Sequence, residues 1–208
     1  DNKPQKVNSE WTSGFIAEDR DLEQTQLVFG VEGLKNIDIN RFSLRALSII
    51  LGGGMSSRLF QEIREKKGLC YSIFSFTQMQ NSSGVFGFYA GTSPKDVDYL
   101  LESSLKEIKK IKNFISAEEL NRAKAQMKSG FIMGHESNSS RSEYFAKNMI
   151  NFGKIIGADE IIASIEKISI NSIYDLCDKL LTSANPVLSV IGPDANSLKK
   201  LEISKILN

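Results

Sequence analysis

Hydrolysis by a bound zinc needs three protein ligands and an open position for water, and helical versions set two histidines on one face beside a catalytic glutamate. The chain holds one histidine. His135 is followed by Glu136, but neither His-Glu-x-x-His nor the inverted His-x-x-Glu-His can be written with a single His. A catalytic zinc built wholly from this chain is therefore not expected, and His135 reads as a polar residue where two helices meet. The triple glycine Gly52 to Gly54 suggests a phosphate loop, yet no Lys-Ser or Lys-Thr follows at the required spacing and no strand precedes it, so it reads as a helix stop. There is no Gly-x-Ser-x-Gly elbow, and His135 would be the sole candidate base for a nucleophilic triad. Cys70 and Cys177 are far apart and lie in apolar patterns, which fits buried thiols better than a metal clip or a redox pair.

The bulk composition narrows the classes further. The 208 residues suit one domain, and a domain of that size buries about 70% of the surface of its unfolded chain. Hydrophobic residues at 41% and charged residues at 25% are near globular averages. A formal net charge of +1 supplies no overall field to recruit nucleic acid or an anionic membrane, so recognition must be local. Lys106, Lys109, Lys110 and Lys112 lie mostly opposite the apolar stripe of their helix without interleaved aromatics, as a solvated face does. No apolar run approaches the roughly 20 residues that cross a bilayer. Residues 1–10 are polar and read as a linker, as in a piece excised from a longer protein, with residues 11–208 as one domain.

The elements that must position any site follow from periodicity. Trp11 to Ala17 and Thr25 to Val31 read as strands separated by the charged turn Glu18 to Glu23. Asn40 can cap a helix from Arg41 to Leu51, and a short helix through Lys66 carries Leu59, Phe60 and Ile63 on one face. Tyr71 to Met79 and Val85 to Thr92 form an antiparallel hairpin across a polar loop. Gly84, Gly87 and Gly91 in its second strand leave room for close approach, by a packed helix more often than by a ligand. From Pro94 the period becomes helical, and Ser116 with Glu119 forms a capping box. Helices are expected over Asn138 to Ile150, Ala158 to Ile168 and Ile173 to Leu181, and Val187 to Ile191 returns as a strand. Strands, then helices, then one strand give an α+β fold, a mostly antiparallel sheet under a helical layer.

The segment Gly52 to Phe76, GGGMSSRLFQEIREKKGLCYSIFSF, resembles the second domain of pitrilysin-type zinc metallopeptidases, the inverted-motif group that includes insulin-degrading enzyme and mitochondrial processing peptidase. Asp21-Leu22-Glu23-Gln24, Glu136-Ser137 with Arg141, and Gly192-Pro193 extend the likeness over nearly the whole chain. In that family a helical arginine is followed seven residues later by a tyrosine opening a strand, a pair matched by Arg64 and Tyr71. The resemblance implies a peptidase of two similar halves that close around an unfolded peptide. The first half would carry the zinc, on the same polypeptide or a partner subunit. The second would supply Arg64 and Tyr71 to the far wall.

Those residue types suit the chemistry. Attack of zinc-bound hydroxide on a peptide carbonyl develops negative charge on oxygen, which a phenol donor stabilises. Arg64 offers fixed charge and a rigid fork of donors, and Gly68 lets the chain fold back between the two. Three functions remain open. The chain is a metal-free enzyme half, inactive by itself; or a non-catalytic partner or scaffold subunit of a two-chain processing peptidase; or a free-standing binding domain. Homo- and heterodimers both fit. Few cysteines and an Asn-, Ile- and Lys-rich composition point to a reducing cytoplasm in an organism with AT-rich codons, which the resemblance suggests is bacterial, with the periplasm or an organelle matrix as alternatives.

Overall fold

A computed structural model describes residues 9–181 and 185–200. The expected linker lies almost wholly outside those residues. Five strands, β1 (Gly14–Asp19), β2 (Thr25–Glu32), β3 (Cys70–Met79), β4 (Gly84–Thr92) and β5 (Val187–Gly192), form one sheet in the order β1-β5-β2-β4-β3. Only β1 and β5 run parallel. The expected α+β architecture is the one observed, and the last strand inserts between the first two.

Period-2 alternation divides the sheet into two unlike faces. Ile73, Ala90, Leu27 and Val190 align across four strands, and beside them Phe88, Phe29 and Leu188 continue the same buried surface. The Phe29 and Phe88 rings stack with centroids 5.4 Å apart. One residue along, Phe74, Tyr89, Val28, Ser189 and Ile16 form a row on the other face. That row stays open: Ile16, Val28 and Phe74 are all exposed.

Helix α1 (Arg41–Gly52) lies along β3 on the buried side and contacts most of the later helices. Its residues Leu44, Ala46, Leu47 and Leu51 are fully enclosed. Around it stand α2 (Val97–Asn113), α3 (Ala117–Gly134), α5 (Ala158–Glu166) and α6 (Ile170–Leu181), while α4 (Asn138–Phe152) buries little beyond Asn148. Helix α3 opens on the capping box expected at Ser116 and Glu119, with both reciprocal hydrogen bonds formed. Helix α6 begins three residues earlier than its apolar stripe suggests, because Ser169 accepts a bond from the Ser172 amide and starts the first turn.

Two further readings change. Glu18 and Asp19 belong to β1 rather than to a turn, since pairing with Ile191 and Gly192 holds their backbone extended. The β4 glycines admit a strand and a loop, not a helix. A Cβ at Gly87 would lie 2.1 Å from the Phe29 carbonyl of β2, and one at Gly84 would lie 2.0 Å from the Leu34 carbonyl.

Gly52 does more than end α1. A Cβ there would fall 2.4 Å from the Ser75 amide nitrogen, and one turn earlier Ser48 and Ser75 share a hydrogen bond of 2.9 Å between their hydroxyls. Helix and strand meet backbone to backbone. Gly52→Ala is expected to lower stability by about 1–3 kcal/mol through overpacking, read as a lower urea midpoint at unchanged m-value.

Candidate functional site

The helix after the glycines begins at Arg58 and widens into a π-helical stretch, Phe60–Lys66, a form that recurs at functional positions. Leu59 and Ile63 sink fully into the core, leaving Phe60 and Arg64 toward the outer side. The Arg64 guanidinium lies 4.5 Å from the Phe60 ring centroid and 5.2 Å from that of Tyr71. Its nearest carboxylate, Glu65, stands 3.8 Å away. The chain reverses at Gly68, whose φ of +63° favours glycine. The Gly68 amide donates to the Arg64 carbonyl at 3.1 Å, and the Leu69 amide to that of Ile63 at 3.0 Å.

Tyr71 then falls in a β-bulge. Cys70 pairs with Thr92 and Ser72 with Gly91, so Tyr71 has no partner across the ladder. A bulge re-aims the extra side chain, and Tyr71 stands 77% exposed. The fold thus brings Arg64 and Tyr71 together, with a free phenol beside a guanidinium. Such a pair can donate to developing negative charge on a carbonyl oxygen. No group of three or more His, Cys, Asp or Glu able to hold a metal ion occurs among the described residues.

What holds this segment in place is Arg58. Its Nε and Nη2 donate to the two Glu119 carboxylate oxygens at 2.6 and 2.9 Å, and Nη2 also donates to the Phe114 carbonyl at 2.7 Å. Both side chains are largely buried, at 13% and 16% exposed. Glu119 also accepts from the Ser116 amide. Burial works to raise the Glu119 pKa, but the hydrogen bonds and charge of Arg58, with the Ser116 bonds, bring it below its ordinary value. Farther along, Lys67 donates to Ser103 at 2.7 Å and lies over the Tyr99 ring, tying the end of the segment to α2. The bulge and the Arg58 clamp are features that sequence reasoning missed, and Phe60, grouped by the sequence with Leu59 and Ile63 on one face, is instead only half-buried and lies under Arg64. The spacing of Phe60 and Arg64, four residues apart on one helix, was the one available signal.

The other singled-out residues are structural. His135 follows α3, its Nδ1 donating to the Phe131 carbonyl at 2.6 Å and its ring flanked by Phe131 and Tyr144, at the junction of two helices as expected. Gly53 and Gly54 end α1. Lys106, Lys110 and Lys112 pair with Glu102, Glu107 and Asp178. Both cysteines are free thiols, Cys177 buried and Cys70 half-buried. Burial pushes Cys70 up to about 11 against a smaller opposing effect of Arg64, and Cys177 up to about 12, with Asp178 adding to burial.

Residues 1–127 match the family profile described as the peptidase M16 inactive domain. The chain belongs to that family. The resemblance to pitrilysin-type metallopeptidases therefore holds over more than half of the sequence. Among curated relatives of this M16 domain, a protein of Rickettsia felis described as an uncharacterized zinc protease is 40% identical over 84% of the chain and 42% of its own length. The uncharacterized zinc protease YmxG of Bacillus subtilis is 33% identical over 85% of the chain and 43% of its own length. The chain thus spans less than half of these relatives. Solved structures share the fold of the M16 domain. A protease from Helicobacter pylori superposes with a TM-score of 0.82 at 22% identity, covering 93% of this chain and 48% of that one. A chain of complex III2 from Candida albicans gives a TM-score of 0.87 at 20% identity, covering 99% and 51%.

Two outcomes check this arrangement. Arg58→Met should lower unfolding free energy by about 3 kcal/mol, because Glu119 would be left buried without its partner. The stabilisation from Glu119 is present above its ordinary carboxylate pKa and is lost as pH falls through the lowered value, so the gap between wild type and Arg58→Met in urea melts should shrink toward pH 3. Raised thiol pKa values keep both cysteines protonated at pH 8. Iodoacetamide at that pH should label neither in the native state and both in urea, as counted by intact mass.

Proposed function

We propose that this M16 inactive domain is the non-zinc-binding half of a zinc metalloendopeptidase, and that it closes over an unfolded peptide and presents Arg64 and Tyr71 to the scissile carbonyl. The observation that carries this reading is the exposed Tyr71 phenol on its bulge with the Arg64 guanidinium 5.2 Å from the ring centroid. An exposed phenol set beside a cation in a bulge, with no ladder partner, has more support than strand formation requires. Zinc would be bound by an N-terminal half, on the same polypeptide or a partner subunit, and would supply the attacking hydroxide and polarise the carbonyl. Tyr71 would donate a hydrogen bond to the developing oxyanion. Arg64 would hold the phenol in orientation and add fixed positive charge to the wall.

Exposed apolar side chains fit a domain that works against a companion. Ile132, Met133, Met149 and Ile150 lie open on α3 and α4, and Ile16, Val28 and Phe74 lie open on the sheet. Two free thiols fit a reducing cytoplasm.

The test is complementation with the zinc-bearing half of the same protein, followed by peptide cleavage. Peptide cleavage should appear only in the mixture. Tyr71→Phe should then reduce kcat about 10²- to 10³-fold, corresponding to about 3–4 kcal/mol for one lost oxyanion donor, with little change in KM. Turnover of Tyr71→Phe equal to wild type would remove Tyr71 from the chemistry and leave the domain as a scaffold.

A further inference from the structure

Helix α1 carries two arginines one turn apart, Arg41 and Arg45, and the first turn of the helix holds no acidic residue. Both choices run against ordinary helix electrostatics. Like charges at i and i+4 repel, and the positive end of the helix dipole disfavours a cation. Beside them the helical layer opens into two adjoining hollows of about 510 and 730 Å³, which share Phe42, Arg45, Phe131 and Tyr144 as walls. No carboxylate lines either hollow among the described residues. Of the cations there, Lys147 is satisfied by Glu143 at 2.5 Å. Arg41 donates to the Asp38 carbonyl at 3.3 Å, lies over the Phe42 and Phe152 rings and feels Glu160 and Asp38. Arg45 makes no hydrogen bond or ion pair with the described residues. Arg45 is exposed where it lines both hollows, and the protein around it, with a smaller effect of Arg41, lowers its pKa.

A second polar atom is left over in the same place. His135 lines the larger hollow, and its Nε2 is buried without a partner among the described residues. The cleft borders the later part of β3, where Ser75, Phe76 and Thr77 contribute to the wall. From Tyr71 to Ser75, the first of these, a strand advances about 13 Å, and neither Arg64 nor Tyr71 lines the cleft, so this is a place apart from that pair.

We propose that this cleft is a binding site for an organic carboxylate borne on an apolar or aromatic body, with Arg45 pairing the carboxylate and the Phe42, Phe131 and Tyr144 rings enclosing the body. The volumes are those of sites for small molecules and short peptide ends. An arginine fork matches a carboxylate in two parallel hydrogen bonds. The site needs no zinc and no second half, so it stands or falls independently of the proposed peptidase role. A peptide C-terminus and a small aromatic acid share this chemistry.

The test uses the 208-residue chain with three probes followed by two-dimensional NMR or calorimetry: N-acetyl-Ala-Phe with a free carboxylate, the same dipeptide as its C-terminal amide, and 3-phenylpropionate. Saturable binding of at least one acid is expected, with shifts at Arg45 and His135. The amide should bind at least about tenfold more weakly, the scale of one charge-assisted bond. Arg45→Gln should weaken the acid by a similar factor while leaving the circular dichroism unchanged and the melting temperature unchanged or raised. Tighter binding of the dipeptide acid identifies a peptide terminus as the source, and tighter binding of phenylpropionate a small acid. Binding of the amide as tight as the acid, an unaltered affinity in Arg45→Gln, or no saturable binding of either acid overturns the proposal.

Discussion

The Arg58–Glu119 pair is the contact on which the site side of the molecule depends. One guanidinium reaches the start of α3 through the Glu119 carboxylate and the chain after α2 through the Phe114 carbonyl. The same carboxylate completes the α3 cap. Three segments are thus referenced to a single side chain at the first turn of the helix that carries Arg64. Because the pair is mostly buried, its geometry matters more than its net energy. A buried ion pair can contribute little to stability over an apolar substitute, yet it penalises every arrangement in which its partners part. That property suits a segment that must hold a guanidinium beside a phenol at the surface.

The sheet is similarly divided between anchoring and presentation. Rows of Leu, Ile and Phe on one face bind it to the helices, whereas the opposite face offers Ile16, Val28 and Phe74 to solvent. Within the buried side, α1 comes so close to β3 that a side chain at Gly52 would strike the Ser75 amide. Close approach there draws β3 tight against the helix just past the bulge, so that the distortion at Tyr71 is confined to the strand's first residues. Rigidity behind and freedom in front arise from the same strand.

Much of this was legible in the sequence because it rests on local rules. The 3.6-residue stripe of α2, the Ser116–Glu119 box and the polar hairpin loop each specify their element without help from the rest of the chain, and each is found. The place of β5 was legible only as a returning strand, since its insertion between β1 and β2 depends on pairing across most of the chain length. The β4 glycines illustrate the same limit: a missing side chain signals close approach but not by what, and the neighbours are the β2 backbone at Gly87 and the loop backbone at Gly84. Arg64 and Tyr71 came from a family pattern rather than from physics. Their juxtaposition depends on a bulge, which no periodicity in Cys70 to Met79 announces because the extra residue is itself a good strand former. The Arg45 cleft was invisible, since its walls come from α1, β3, α3 and α4, and an exposed arginine on one helix does not reveal which distant segments stand around it.

The position of β5 also bears on how the chain acquires its shape. Strands β1 and β2 are only a few residues apart, but they do not pair with each other; the strand between them is contributed by residues 187–192. Until that segment arrives, β1 has no partner in the sheet and β2 keeps one bare edge. Ordering such long-separated partners requires closing nearly the whole chain into a loop, which slows folding and prolongs the exposure of unpaired edges. During synthesis on a ribosome the first strand would therefore be the last to be secured, and the nascent domain would depend on its helical layer and the β2–β4–β3 meander to stay compact while it waits.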